Sequence, residues 1–204
     1  SRAEAGAHLG QQLRRRIRSP GLVLGVAPGG VEIAANAAKA MGAAMVIAVD
    51  WDNAYRMDLA RHLGADMVLG KDDDVVETIL SSTQGRGVDN SCEFSGAPSA
   101  LSNAIRSTRM GGFVNVLSVY GQQMTEVPMN EVVFRYLHLK GINGRRMWST
   151  CERMHELLEK GAIDIDRIVT HTLPVDAFKE GMRLAGSGDC GKVVLTFPTS
   201  TEAS

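Results

Sequence analysis

A run of small residues, Gly25-Val26-Ala27-Pro28-Gly29-Gly30, separates an apolar stretch, Leu22-Val23-Leu24, from an alanine-rich stretch of helical pattern, Val31 to Met41. Asp50 closes the next apolar run, 25 residues after Gly25. Strand, glycine turn, helix, strand and acid is the order in which an α/β domain builds a dinucleotide site. Gly25 permits the tight turn, and the small Ala27, in the place of a middle glycine, lets backbone approach a pyrophosphate. Gly29 and Gly30 open a helix whose free N–H groups and dipole attract that anion. Asp50 would accept hydrogen bonds from both ribose hydroxyls and repel a 2′-phosphate, which favours NAD over NADP. The structural alternative is that any doubly wound domain needs glycines at its first strand-to-helix turn. The acid at the second strand end tips the balance towards a nucleotide.

The elements that must position these residues alternate regularly. Apolar runs near 22–26, 45–50, 66–69, 88–94, 113–119 and 137–143 read as strands, and helical patterns near 30–41, 53–63, 73–82 and 98–109 lie between them. The last of these helices opens with Pro98 at a favoured first-turn position. This alternation predicts an α/β fold, a doubly wound parallel six-stranded sheet (Rossmann fold) covered on both faces, with a C-terminal helix-strand appendage. A helix near 149–160, the run Ile163 to His171, a helix near 174–186 and a last strand Lys192 to Phe197 complete the order. The expected division is a linking helix over 1–19, a dinucleotide-binding domain over 20–164, a C-terminal segment over 165–197 and a disordered tail over 198–204.

Composition excludes several partners. The 204 residues, 44% hydrophobic, are enough to bury a core. With 22 basic and 23 acidic side chains the net charge is −1, no field for a polyanion, so no nucleic acid is expected. Arg14, Arg15, Arg16 and Arg18 end a helical pattern carrying Leu9, Leu13 and Ile17, and read as a solvated helix end. Cys92, Cys151 and Cys190 form no C-x-x-C pair, hence neither a zinc knuckle nor a redox motif. No apolar run reaches membrane-spanning length and no secretory signal is visible, so no membrane and a cytoplasmic location are expected. The chain starts at Ser1 rather than Met, as a fragment or a processed chain does.

Several phrases carry a family resemblance. They are Val46-Ile47-Ala48-Val49-Asp50 with Arg56, Leu59-Ala60-Arg61-His62-Leu63-Gly64-Ala65-Asp66, Val88-Asp89 leading to Glu93-Phe94-Ser95-Gly96, Met110-Gly111-Gly112, Lys140-Gly141-Ile142-Asn143-Gly144-Arg145 and Gly191-Lys192-Val193-Val194-Leu195. Together they resemble the medium-chain dehydrogenase/reductase superfamily of the zinc alcohol dehydrogenase type. Ser95-Gly96-Ala97-Pro98 and Gly144-Arg145-Arg146-Met147-Trp148 point to its branch acting on threonine, ahead of branches acting on polyols and butanediol. The resemblance implies NAD as cofactor, with Gly29 at the dinucleotide and Asp50 and Arg56 at the adenosine ribose. It places Leu117, Ser118 and Val119 at the strand end that meets the nicotinamide amide, and Ile142 and Asn143 at the next strand end. Physical reasoning agrees, because open parallel sheets bind ligands at the carboxyl ends of their strands. Counted back from Lys39, the glycine loop carries one residue more than the family's.

The resemblance also implies a separate, preceding domain that holds the catalytic zinc and the small-molecule alcohol, so that no catalytic residue and no metal site is expected here. His8, His62, His138, His155 and His171 show no ligand spacing, and His155-Glu156-Leu157-Leu158-Glu159 fails the H-E-x-x-H pattern at its last position. In the family the edge strand near 137–143 joins a second copy, which implies a homo-oligomer. The segment from about Ile165 packs on the catalytic domain, which would leave Ile168, Leu173, Phe178, Met182, Leu184 and Val193-Val194-Leu195 bare in this chain. Three rival readings stand beside this one. Tyr136-x-x-x-Lys140 copies a short-chain dehydrogenase pair, but that chemistry needs both residues on one helical turn and the segment alternates like a strand. A methyltransferase shares the glycine turn and the acid but needs a substrate motif after the fourth strand, where Glu93 to Pro98 reads as a turn into a helix. A non-catalytic NAD-binding module is the third.

Overall fold

A computed structural model describes residues 31–51, 53–121, 124–144, 146–163 and 166–198, with side chains from 36 onward. The glycine loop, the strand expected near 22–26, the linking helix and the tail from 199 lie outside the described residues. Among the described residues the elements before the C-terminal segment run in the order α1 (Val31–Ala40), β1 (Ile47–Val49), α2 (Ala54–His62), β2 (Met67–Leu69), α3 (Val75–Ser82), β3 (Val88–Glu93), α4 (Pro98–Ser107), β4 (Thr108–Val116), α5 (Met129–Phe134), β5 (His138–Gly141) and α6 (Ser149–Glu159). There follow β6 (Val169–Pro174), a 3-10 turn (Val175–Ala177), α7 (Phe178–Ser187) and β7 (Lys192–Thr196).

Local chemistry sets several helix starts. Asn53 caps α2, its Oδ1 accepting from the Arg56 N–H at 2.8 Å, and Asp74 caps α3 by accepting from the Glu77 N–H at 3.0 Å. Pro98 begins α4, where its missing N–H costs nothing.

All strand pairs among the described residues are parallel. β1 pairs β2 through Ile47–Met67, Ala48–Val68 and Val49–Leu69, and β3, β4 and β5 pair in that order. Side chains alternate across β1. Ile47 and Val49 enter a core with Leu69, Val75, Ile79, Val88, Leu101, Ala104, Ile105, Val114 and Leu137, while Val46 and Ala48 meet Ala38 of α1 and Ala60 of α2. The same core therefore draws on strands of both ladders and on α3 and α4, and the opposite face of β1 is covered by α1 and α2. Burial on two faces explains the nearly continuous apolar run through 46–49.

The α/β class and the parallel strands are as expected; one six-stranded sheet is not what is described. The described strands form ladders of two, three and two. Three local expectations are corrected. β4 begins at Thr108 instead of near 113, since the Thr108 hydroxyl donates to the Ala104 carbonyl at 2.6 Å and carries the chain from helix directly into strand. Helix α5 was not expected. The C-terminal appendage gains β6, which pairs β7 in parallel across α7, so it is a strand-helix-strand unit. No helix among the described residues is long and apolar enough to cross a membrane.

Candidate nucleotide site

Asp50 stands at the carboxyl end of β1, where its N–H continues the ladder to the Leu69 carbonyl at 3.1 Å. It is buried, and its carboxylate is held by Arg56 from the first turn of α2: Nε to Oδ2 at 2.7 Å and Nη2 to Oδ1 at 3.1 Å. This fork leaves lone pairs on both oxygens for further donors. The cap residue Asn53 fixes the backbone from which Arg56 reaches back, and its Nδ2 donates to the Gly188 carbonyl at 2.9 Å, so the end of α7 closes on the same place. Gly188 has φ +78°, and a Cβ there would meet Arg56 Nη1 at 3.0 Å and Asn53 Nδ2 at 3.1 Å, so glycine serves both the turn and the close approach. Asp50, Trp51, Asn53, Arg56 and the residues from Ala185 to Gly188 line an open recess of about 310 Å3, room for part of a nucleotide.

The other expected residues stand at two adjacent strand ends. The Leu117 N–H donates to the Glu93 carbonyl at 2.8 Å and the Ile142 N–H to the Val116 carbonyl at 2.8 Å, so each chain leaves its ladder still tied to its neighbour. Leu117, Ser118 and Val119 thereby follow β4, and Ile142 and Asn143 follow β5, side by side. Asp50 and Arg56 form one locus and these five residues a second; Gly25, Ala27, Gly29 and Gly30 lie outside the described residues.

Sequence reasoning gave Glu93 no role of its own. It lies buried at the end of β3 and accepts from Ser95 N–H (2.6 Å), Ser95 Oγ (2.6 Å) and Gly96 N–H (3.0 Å) through Oε1, and from Ser118 Oγ and Tyr120 Oη (2.8 Å) through Oε2. Burial alone would raise its pKa, but the donated hydrogen bonds of Ser118, Ser95 and Tyr120 outweigh that and hold the carboxyl below its ordinary value. The same contact, together with burial, pushes the Tyr120 phenol up to about 12. The only sequence signal was Glu93-Phe94-Ser95-Gly96, an acid two residues before a serine-glycine turn.

Among the described residues the short-chain dehydrogenase pair is not assembled. Tyr136 occupies the turn after α5 with φ +52° while Lys140 lies in β5, so the pair does not share a helical turn. Burial pushes the Cys92 thiol up to about 11, which leaves it protonated at neutral pH and a poor nucleophile. Among the described residues no group of three His, Cys, Asp or Glu side chains is placed to hold a metal ion, so a catalytic zinc does not fit the donors described. His155 instead meets Glu159 one turn on, at 3.1 Å, on the exposed face of α6.

Parallel strands clothed by helices, with a buried acid at the end of β1, define a domain of the dinucleotide-binding α/β class. Residues 32–160 match the zinc-binding dehydrogenase family, and the chain belongs to that family. It is 40% identical over 174 residues to L-threonine 3-dehydrogenase of Bacillus licheniformis, an alignment covering 85% of this chain and 50% of that protein. Among solved structures, the alcohol dehydrogenase TADH from Thermus sp. ATN1 superposes with a TM-score of 0.81 at 25% identity, over 96% of this chain and 55% of that one. A zinc-binding dehydrogenase from Sinorhizobium meliloti 1021 bound to NADP has the same fold, with a TM-score of 0.75 at 24% identity over 96% of this chain and 57% of the other. The chain thus spans about half the length of the relatives it matches.

Proposed function

We propose that this chain is the NAD(H)-binding portion of a zinc-type dehydrogenase that oxidises a secondary alcohol, with L-threonine the leading substrate and polyols or butanediol next. The observation that carries the reading is the Asp50–Arg56 fork at the end of β1, facing a recess. The remaining lone pairs of Asp50 suit the two adenosine ribose hydroxyls. Arg56, which could otherwise greet a 2′-phosphate, is turned onto Asp50 instead, and this favours NAD over NADP. The NADP in the Sinorhizobium meliloti structure supports a nicotinamide dinucleotide as ligand class, and the acid at 50 favours NAD within it. The threonine 3-dehydrogenase relative supports the substrate.

In this reading the segment 22–26 completes a six-stranded doubly wound sheet between β1 and β3, and Gly25, Ala27, Gly29 and Gly30 hold the pyrophosphate. NAD, when bound, accepts the hydride from the alcohol carbon. The chain's own work is positioning: Asp50 and Arg56 fix the adenosine end, and main-chain groups of Leu117 to Val119 and of Ile142 and Asn143 fix the carboxamide. No residue here needs to move a proton, and zinc and the alcohol belong to the half of the relatives' length that this chain does not span. The exposed β5 edge pairs with a second copy, giving a cytoplasmic homo-oligomer.

Fluorescence titration with NADH and NADPH tests the cofactor assignment. NADH should bind the tighter, and Asp50→Asn should weaken NADH by about tenfold, about 1–2 kcal/mol, while narrowing the gap to NADPH. Equal affinities for the two cofactors in the unaltered chain would remove Asp50 from the site.

A further inference from the structure

Glu93 is a buried charged group that the cofactor reading leaves without a task, and its two oxygens divide their partners by element. Oε1 gathers the turn after β3, through the Ser95 N–H, the Ser95 hydroxyl and the Gly96 N–H. Oε2 gathers the loop after β4, through the hydroxyls of Ser118 and Tyr120. The two segments also touch through backbone. Gly96 has φ +74°, and a Cβ on it would meet the Val119 carbonyl oxygen at 2.7 Å, so the turn can lie against the loop only as glycine. The loop's other side is bare, with Val119 90% and Leu117 37% exposed. A carboxylate suits this junction because it only accepts, and all five partners can donate. A neutral acid would aim its own proton at one of those donors.

We infer that Glu93 is a positioning residue for the nicotinamide end of the cofactor: it shapes the 117–120 loop that receives the carboxamide, and it does so without touching the cofactor. The inference rests on the cofactor reading above. Its consequence is a split between ligand halves. Loss of the clamp loosens the loop after β4 and leaves the Asp50 locus, on another strand and another ladder, as it was.

The experiment is calorimetric titration of the full chain with NADH and with ADP-ribose, which carries everything in the cofactor except nicotinamide. Tyr120→Phe removes one donor to Oε2, and Glu93→Gln keeps the shape but not the charge. Both should weaken NADH by about five- to tenfold and leave ADP-ribose within about twofold, the first being the size of one ordinary lost hydrogen bond. Glu93→Ala should weaken NADH further; if it fails to fold, Tyr120→Phe carries the test alone. Folded variants that lose both ligands equally, or neither, would overturn the positioning role and leave the cofactor reading standing. An unaltered chain that binds neither ligand would overturn the cofactor reading and this inference with it.

Discussion

Asp50 and Glu93 are both buried carboxylates at strand ends, but one is stabilised by a counter-charge and the other by neutral donors, and they should fail differently. Arg56 neutralises Asp50 with side chains only 15% and 6% exposed, so Arg56→Met leaves a buried charge without its partner. Stability should fall by about 3–5 kcal/mol, read from urea denaturation, and the double variant Asp50→Asn with Arg56→Met should regain a part of that. Glu93 predicts a pH dependence. Its folded pKa lies below the ordinary 4.5, so the unfolded chain takes up the proton first on acidification. The stabilisation is complete above pH 4.5 and disappears as pH falls through the depressed folded value. Asp66, also lowered by the hydrogen bonds from Lys39 and the Val46 N–H that outweigh its desolvation, behaves the same way. Urea midpoints measured downward from neutral pH should therefore fall less steeply in Glu93→Gln than in the parent, with Asp66 contributing to the slope that remains. Identical slopes would mean that the fold does not hold the Glu93 carboxyl below its ordinary value.

Elements held by local chemistry were legible from sequence, and those held by distant partners were not. Asn53, Asp74 and Pro98 mark helix starts within a few residues, and the apolar run 46–49 is a strand because both its faces are covered. Asp50 was legible for the same reason, as the polar residue that ends such a run. Helix α5, six residues with no side-chain cap, and β6, a polar alternating segment that is a strand only by pairing β7, carry no signal of their own. The Glu93 clamp was hidden because Ser118 and Tyr120 come from 25 and 27 residues away. At this scale β5 is an exposed element with, among the described residues, an open edge. Its partner β4 occupies one side, every residue from His138 to Gly141 is exposed, and Val133, Phe134, Tyr136 and Leu139 leave apolar surface around it. Such an edge invites pairing with another chain. Leu139→Lys should lower the mass seen by light scattering at high concentration; a parent that is already monomeric there would dismiss the edge as an interface.

At the scale of the whole molecule the segment over 166–198 is tied to the rest at two points, near Ile168 and at Gly188. Ile168 was expected to be bare, yet it is buried with Leu63 and Ile163 against Leu59 of α2 and Leu157 and Leu158 of α6. The other anchor is the Asn53 bond to Gly188. In the rest of the segment the expectation of bare apolar residues holds for Phe178, Met182 and Val194, while Leu173, Leu184, Val193 and Leu195 are partly covered. Each large apolar group left in water forgoes about 1.5–3 kcal/mol, so the β6–α7–β7 unit should open before the core that joins β1 to β4. Amide hydrogen exchange should show it: protection in 169–196 at least about tenfold below that in 88–116, a difference of about 1.4 kcal/mol. NADH should then slow exchange around Gly188, since a ligand beside Asp50 sits against the end of α7. Equal protection in both regions would mean that the unit is self-sufficient, and would favour an NAD-binding module that works without a catalytic partner over a portion of a dehydrogenase.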